Sequence, residues 1–180
     1  MRKDVEEKLK AYLQTIGKCD RNADHINNTS KRFLKYLDEY TQGYEIDIKE
    51  EIGSGIFNLK EGDSKNSIIV KDIDFTTICI HHLLPFYGQI EVEYKPINKI
   101  FGLSKIPRIC DILSKRFSLQ EHFTQDIADT IFELIDPEFV RVKVIAQHCC
   151  VSCRGIKSVN AKTITEVKRD KNANRISIAL

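Results

Sequence analysis

Apolar residues recur at helical spacing in two segments near the amino terminus. The first segment starts at Asp4, which can cap a helix, and stops before Gly17. The second starts near Asn28 and runs to Gly43, again with a capping residue first and a glycine last. The pattern predicts two amphipathic helices, and we interpret residues 1–43 as an N-terminal helical arm.

The rest of the chain, residues 44–180, carries strand and helix signals in turn. Residues 44–66 are polar and lack a sustained period, which predicts an irregular segment with one short strand at most. Segments of strand character are Ser67 to Ile78, Phe86 to Lys95, Val140 to Ala146 and Val159 to Val167. Helical spacing predicts helices that open at Ser104 and Ser118. The order strand, strand, helix, helix, strand, strand fits an α+β fold, an antiparallel sheet with helices on one face.

Composition narrows the class of protein. Of the 180 residues, 42% are hydrophobic and 30% are charged, which is typical of one compact globular domain. Lys and Arg total 28 against 26 acidic residues, so no global field favours nucleic acid or a membrane surface. We see no apolar run long enough to span a membrane and no secretory signal, and we expect a cytoplasmic protein.

The cysteines are the first sign of chemistry. The chain has six, and three of them follow His148 within five positions, at Cys149, Cys150 and Cys153. In a reducing compartment, crowding of this kind indicates metal binding or catalysis more than a disulfide framework.

Two short runs place thiols and imidazoles at predicted strand ends, at residues 79–82 (Cys-Ile-His-His) and 148–150 (His-Cys-Cys). Two thiolates and one imidazole suit zinc, and three protein ligands leave a fourth position for water, as in catalytic sites. The remaining histidines could then carry protons. The plainer alternative, buried cysteines with a hydrogen-bonded histidine, stays open on spacing alone.

Four motifs in order along the chain resemble those of the GTP cyclohydrolase I family. They are Cys79 to Gly88, Gly102 to Arg108, Gln120 to Ala128 and His148 to Gly155. The resemblance covers about residues 29–165. One such motif alone would be a weak signal, whereas four in register are a specific one.

The resemblance implies a zinc-dependent enzyme that hydrolyses GTP to 7,8-dihydroneopterin triphosphate and formate, the first step of pterin and tetrahydrofolate biosynthesis. The zinc ligands that it implies are Cys79, His82 and Cys150, and the proton-transfer residues are His81 and His148.

A triphosphate needs cations and amide donors. Ser104, Lys105 and Arg108 lie at a predicted helix N-terminus, where free amides and the helix dipole favour an anion. The residues that the resemblance assigns to the triphosphate or its surroundings are Arg32, Lys35, Ser104, Lys105, Arg108 and Arg154. For Arg32 and Lys35, one turn apart on the second helix, a solvated basic face is the alternative.

Guanine presents adjacent N–H donors that one carboxylate can accept. The resemblance assigns this role to Glu121 and places its neighbour Gln120 among the substrate-binding residues. Ser118 to Glu121 also reads as a capping box, in which Glu121 would reach back to the helix start. Both roles stay open at this point.

The sequence departs from the family pattern at a few positions. Ile80 stands where the family usually has glutamate, and His122 stands where an arginine usually follows the guanine glutamate. Cys149 and Cys153 match no ligand position, and we interpret them as packing residues. These changes bear on subunit contacts and regulation more than on chemistry.

The resemblance also implies architecture. It predicts the tunnelling fold, with a four-stranded antiparallel sheet, two helices on one face and a catalytic domain at residues 44–180. It implies a homo-oligomer, a decamer of two pentamers with sites between subunits, and open strand edges independently favour association. Two other hypotheses are a degenerate relative that binds zinc and nucleotide with weak or no turnover, and a tunnelling-fold enzyme with another purine or pterin substrate. The two histidines with Glu121 argue against the first, and the phosphate cluster argues against the second.

Overall fold

The computed structural model describes residues 2–17 and 27–171. The chain forms two compact units, Met1–Thr41 and Gln42–Leu180. Among the described residues, no helix combines the length and the apolar character that crossing a membrane requires.

The amino-terminal unit contains the two predicted helices, α1 (Arg2–Ile16) and α2 (Thr29–Glu39), which pack against each other. Helix α1 ends as expected at Gly17, whose N–H donates to Leu13 O at 2.9 Å. Asp4 lies inside the first turn and is not the cap that the sequence suggested. Helix α2 ends four residues before Gly43, which belongs to a 3₁₀ turn instead.

The second unit contains the sheet and its helices. Its helical elements are the 3₁₀ turn Gln42–Tyr44, α3 (Ile48–Gly53), α4 (Lys105–Ser114), α5 (Gln120–Ile135) and α6 (Cys149–Ser152). Its strands are β1 (Ile56–Asn58), β2 (Ile68–Ile78), β3 (Pro85–Lys95), β4 (Lys99–Phe101), β5 (Phe139–His148) and β6 (Thr163–Asp170).

Four strands form the main sheet in the order β2-β3-β5-β6, and every neighbouring pair is antiparallel. Helices α4 and α5 pack against this sheet and against each other. Burial alternates along β5, where one face of the strand lies in the core. Val140, Val142 and Val144 are fully buried, while Arg141 and Lys143 are only partly buried. The predicted α+β fold, with a four-stranded antiparallel sheet and two helices on one face, is confirmed.

The core lies between the sheet and these two helices. Phe75, Phe86 and Phe123 meet there, with ring centroids 5.0–6.4 Å apart. Burying a side chain of this size contributes about 1.5–3 kcal/mol, so the phenylalanine cluster holds α5 firmly on β2 and β3.

Residues 44–66 are more regular than the sequence analysis predicted. They contain helix α3, whose N-cap Asp47 accepts hydrogen bonds from Lys49 N at 2.8 Å and Glu50 N at 3.2 Å. Strand β1 follows and pairs with β4, a strand that the sequence analysis missed. A short aspartate-capped helix has too few turns to show a period, which is why the pattern did not reveal it.

Helix α5 and strand β6 both start later than predicted. The N-cap of α5 is Leu119, and the Ser118 N–H donates instead to Ile78 O at 3.1 Å. The capping box from Ser118 to Glu121 is therefore absent. Strand β6 begins at Thr163, because the residues before it form turns, such as that closed by the hydrogen bond from Ala161 N to Ser158 O.

Candidate metal and proton-transfer site

The register of the sheet gathers the two cysteine and histidine runs at one end of it. Ile78 at the end of β2 pairs with Pro85 at the start of β3, and Phe86 pairs with His148 at the end of β5. Segments that are remote in sequence are thereby placed side by side, directly after their strands end.

The first run forms a tight turn after β2. Cys79 O accepts hydrogen bonds from His82 N at 3.3 Å and Leu83 N at 2.8 Å, and Cys79 N donates to Leu84 O at 2.9 Å. Leu83 takes a left-handed conformation, with φ of 51°. This turn brings Cys79 Sγ to 3.8 Å from His82 Nδ1.

The second run changes from strand to helix. His148 is the last residue of β5, and the helical turn α6 then carries Cys150. Because Cys150 lies in this helical turn, it does not share a strand face with His148. The ligand atoms of Cys79, His82 and Cys150 nevertheless all lie within 4.8 Å of one another.

These three side chains could hold a metal ion. Cys79 is buried and Cys150 is half-buried. Burial raises the pKa of the Cys150 thiol, and the nearby Cys79 raises that pKa further. A cation beside Cys150 would therefore favour its thiolate form.

His148 lies next to this cluster without being part of it. Its ring stacks on Phe86, with centroids 4.6 Å apart and planes 4° from parallel. Its Nε2 atom is 2.7 Å from Gln120 Oε1. Burial lowers the pKa of His148, and the carboxylate of Glu121 opposes that effect. The imidazole is therefore neutral at pH 7 and able to accept a proton.

Gln120 and Glu121, adjacent in sequence, lie in different environments. The Gln120 side chain is 1% exposed, and its amide nitrogen is within 3.2 Å of Val144 O, Thr163 O and Thr165 Oγ1. Its polar atoms are thus engaged inside the protein, which favours an internal role over substrate contact.

Glu121 is exposed in the first turn of α5. Within the described parts of the chain, its carboxylate has no hydrogen-bond or ion-pair partner. Since the capping box is absent, the carboxylate is available to a ligand.

His81 precedes His82 in the turn after β2, and both side chains are exposed. The two rings are 6.1 Å apart, edge to face. The structure thus places His81 beside the Cys79, His82 and Cys150 group. Ile80 is 52% exposed and carries no polar group into this region.

A second group of cations forms at the start of α4. Ser104 is its N-cap and makes no side-chain capping bond. Arg108 Nη1 donates to Glu51 Oε1 at 3.1 Å, and Lys105 Nζ donates to Glu51 O at 3.4 Å. The sequence analysis missed Glu51, which lies in the unpredicted helix α3.

The remaining predicted residues occupy two different places. Arg154 is exposed just after α6, and its charge acts on the Cys150 thiol to lower the pKa. Arg32 and Lys35 are exposed on α2 in the amino-terminal unit, where Arg32 Nη2 donates to Thr29 Oγ1 at 3.2 Å. Their part in a triphosphate site stays a prediction.

The prediction that Cys149 and Cys153 are both packing residues is wrong for Cys153. Cys153 is exposed, and its Sγ lies 2.7 Å from Cys149 O. Cys149 is half-buried.

Comparisons with known proteins identify the family of this chain. The family model described as GTP cyclohydrolase I matches residues 5–177. A GTP cyclohydrolase 1 from Campylobacter jejuni is 36% identical over 169 residues, which is 94% of this chain and 87% of that protein. One from Leptospira biflexa is 38% identical over 161 residues, which is 89% of this chain and 86% of that protein.

A solved structure, the archaeosine synthase QueF-Like in the apo form, is similar to 59% of this chain and 95% of its own, with a TM-score of 0.46 and 17% identity. The family match extends over nearly the whole chain and includes every residue of the candidate metal group. The chain belongs to the GTP cyclohydrolase I family.

Proposed function

We propose that this protein is a zinc-dependent GTP cyclohydrolase, which converts GTP and water to 7,8-dihydroneopterin triphosphate and formate. The observation that carries the proposal is the cluster of Cys79, His82 and Cys150 within 4.8 Å, beside His148, in a chain of this family.

The donor set fits zinc. Bonds of about 2.3 Å to sulfur and about 2.0 Å to nitrogen place the ligand atoms of a tetrahedral site roughly 3.5–3.8 Å apart. The 3.8 Å from Cys79 Sγ to His82 Nδ1 agrees with that spacing. Zinc held by these three ligands would supply a Lewis acid that makes water a competent nucleophile at neutral pH.

The protein's own residues then move protons and hold the substrate. His148, neutral and beside the cluster, accepts a proton from the water that attacks C8 of guanine and returns one to the departing ring nitrogen. His81, exposed in the turn after β2, is the second proton carrier. Glu121 accepts from the N1–H and 2-amino groups of guanine.

Lys105, Arg108 and Arg154, with Ser104 at the helix start, form the triphosphate site that we propose. Helix α4 has ten residues, and the dipole at its N-terminus favours an anion there, although the Lys105 N–H already donates to Gly102 O at 2.8 Å. We place this chemistry in residues 44–180, and the part of Arg32 and Lys35 in binding the triphosphate stays a prediction.

We also propose that the protein acts as a homo-oligomer, a decamer of two pentamers with sites between subunits. Among the strands that the structure describes, β2 and β6 end the four-stranded sheet, so each leaves one edge for pairing. Ile69 on β2 is 48% exposed and Ile164 on β6 is 59% exposed, which supports association through these strands.

Product identity tests the proposed function. The zinc-loaded chain is incubated with GTP, the product is oxidised, and neopterin is detected by its fluorescence. We expect neopterin in proportion to GTP consumed. GTP binding without neopterin would support the alternative of a degenerate relative that binds zinc and nucleotide without turnover.

Replacing Glu121 by glutamine should lower kcat/KM for GTP by about 30-fold to 10³-fold, because the variant loses the paired acceptor and sets a donor against guanine N–H groups. The melting temperature should not change, since the carboxylate caps no helix. Glu133→Gln, exposed on the same helix, is the matched control. Unchanged kinetics with a stability loss of about 1 kcal/mol, the effect of a lost cap, would contradict the guanine role.

Replacing Glu51 by glutamine should lower KM for GTP by up to about fivefold and leave kcat unchanged. The Glu51 carboxylate forms an ion pair with Arg108, which must break before Arg108 can bind the triphosphate. An exposed ion pair contributes only about 0–1 kcal/mol, so the gain from removing it is small. Glu50→Gln, exposed on the same helix, is the control. A higher KM in Glu51→Gln would show that Glu51 instead orients the cations for the substrate.

A further inference from the structure

The orientation of the Gln120 amide is determined by its surroundings. Val144 O and Thr163 O lie 3.2 Å and 3.1 Å from the Gln120 nitrogen. Carbonyl oxygens accept hydrogen bonds and never donate them. The NH₂ group must therefore face these two carbonyls, and the Oε1 atom must face His148.

Two threonines fix the same orientation independently. Thr124 Oγ1 donates to Gln120 O at 2.7 Å, which commits its only proton. The 2.6 Å contact between Thr124 and Thr165 then requires the Thr165 hydroxyl to donate. Thr165 Oγ1 is left as an acceptor, and the Gln120 amide nitrogen lies 3.1 Å from it. Each hydroxyl proton of this partly buried network is thereby assigned, and the Gln120 NH₂ group faces three acceptors.

The consequence reaches His148. Gln120 Oε1 has no proton, so the 2.7 Å contact with His148 Nε2 requires that Nε2 carry one. A neutral imidazole has a single N–H, which leaves Nδ1 with a lone pair. Rotating the ring by 180° would set a C–H against Oε1, and the stacked Phe86 ring holds the imidazole plane in place.

We infer that Gln120 is a positioning residue, which fixes His148 in its Nε2–H tautomer and leaves Nδ1 as the nitrogen that exchanges protons with the reactants. The inference deepens the proposed function and rests on it for the identity of those reactants. It replaces the substrate contact that the sequence analysis assigned to Gln120. A side chain that is 1% exposed, with its amide shared among internal partners, acts on the reaction only through His148.

The tautomer can be read without substrate. In zinc-loaded, ¹⁵N-histidine-labelled protein, solid-state NMR should show His148 with a protonated Nε2 and an unprotonated Nδ1. The signal is assigned as the one missing from His148→Ala. In Gln120→Leu the two nitrogens should shift toward a mixture of tautomers, whereas Thr165→Val, which keeps both carbonyl partners of Gln120, should retain the wild-type signals.

Kinetics separate positioning from substrate contact and from folding. Gln120→Leu should lower kcat by about 10-fold to 100-fold, the usual range for a partner that orients a catalytic group, with KM and bound zinc unchanged. Thr165→Val should keep kcat within about threefold of wild type, because both carbonyl partners of Gln120 remain in this variant. A raised KM with unchanged kcat would instead mean substrate contact, and equal losses in both variants would mean a structural role. Either result overturns the inference.

The wild-type spectrum decides the inference even if Gln120→Leu does not fold, because a proton on Nδ1 would overturn it directly. Failure of the proposed function looks different. A chain that shows the Nε2–H tautomer but releases no formate from GTP would refute the cyclohydrolase activity and leave the tautomer assignment standing.

Discussion

Replacing Cys150 by serine should remove bound zinc and lower formate release from GTP by at least 10²-fold. Cys150 supplies one of two sulfurs in a group whose ligand atoms lie within 4.8 Å of one another. Loss of partners that only orient metal ligands typically costs about 10–100-fold in affinity or activity, and loss of a ligand costs more. Zinc per chain, measured by elemental analysis, and formate per chain are the two measurements.

Cys153→Ser is the matched control for this prediction. Cys153 lies three residues further along the chain but is exposed, and its sulfur faces Cys149 O. The control should keep zinc and activity. If Cys150→Ser kept both as well, or if the wild-type protein bound no zinc under metal-replete conditions, the ligand assignment would be wrong.

Replacing His148 by alanine should leave zinc and GTP binding intact while lowering formate release by about 10²-fold or more, the usual contribution of general acid–base catalysis. The reason is geometric. One ring nitrogen of His148 is bonded to Gln120 and not to the metal group, and burial lowers the pKa of the imidazole so that it is neutral at pH 7.

Packing must be separated from proton transfer in that experiment, because His148 also stacks on Phe86. His148→Phe keeps a flat ring on Phe86 but carries no nitrogen, and it should be as inactive as His148→Ala. The measurement is single-turnover formate release normalised to bound zinc. A wild-type rate per zinc-loaded chain in either variant, even with reduced stability, would rule out the proton-transfer role.

Periodicity predicted the elements whose faces differ in burial. Val140, Val142 and Val144 alternate with polar residues along β5, and the structure buries all three. The turn after His148 could not be predicted in this way. Helix α6 has only four residues, and one turn is too short to display a helical period. Residues 148–150 were therefore predicted at a strand end, where the structure has a helix.

For the candidate metal group, the residue types alone do not predict that the ligands lie close together. Cys79 and Cys150 meet because β3 pairs with β2 on one side and with β5 on the other. A pairing register depends on contacts between remote segments. The residue pattern therefore indicated which side chains could be ligands, but not that they lie close together in the fold. The resemblance to a family supplied that step.

For Gln120 the resemblance was misleading, because it assigned Gln120 and Glu121 together to substrate binding. Adjacent residues on a helix project about 100° apart, so Gln120 enters the core while Glu121 faces outward. The internal hydrogen bonds of Gln120 involve Thr165 and the backbone of β5 and β6, which no pattern near residue 120 could indicate.

The most direct test of the account ties formate release to zinc in this chain. Protein stripped of metal by a chelator is reloaded with increasing zinc, and formate released from GTP is measured at each occupancy. The account predicts no release from the stripped chain and a rate that rises in proportion to zinc, up to one ion per chain. Formate release that persists in the stripped protein, or its absence at full zinc occupancy, would contradict the account.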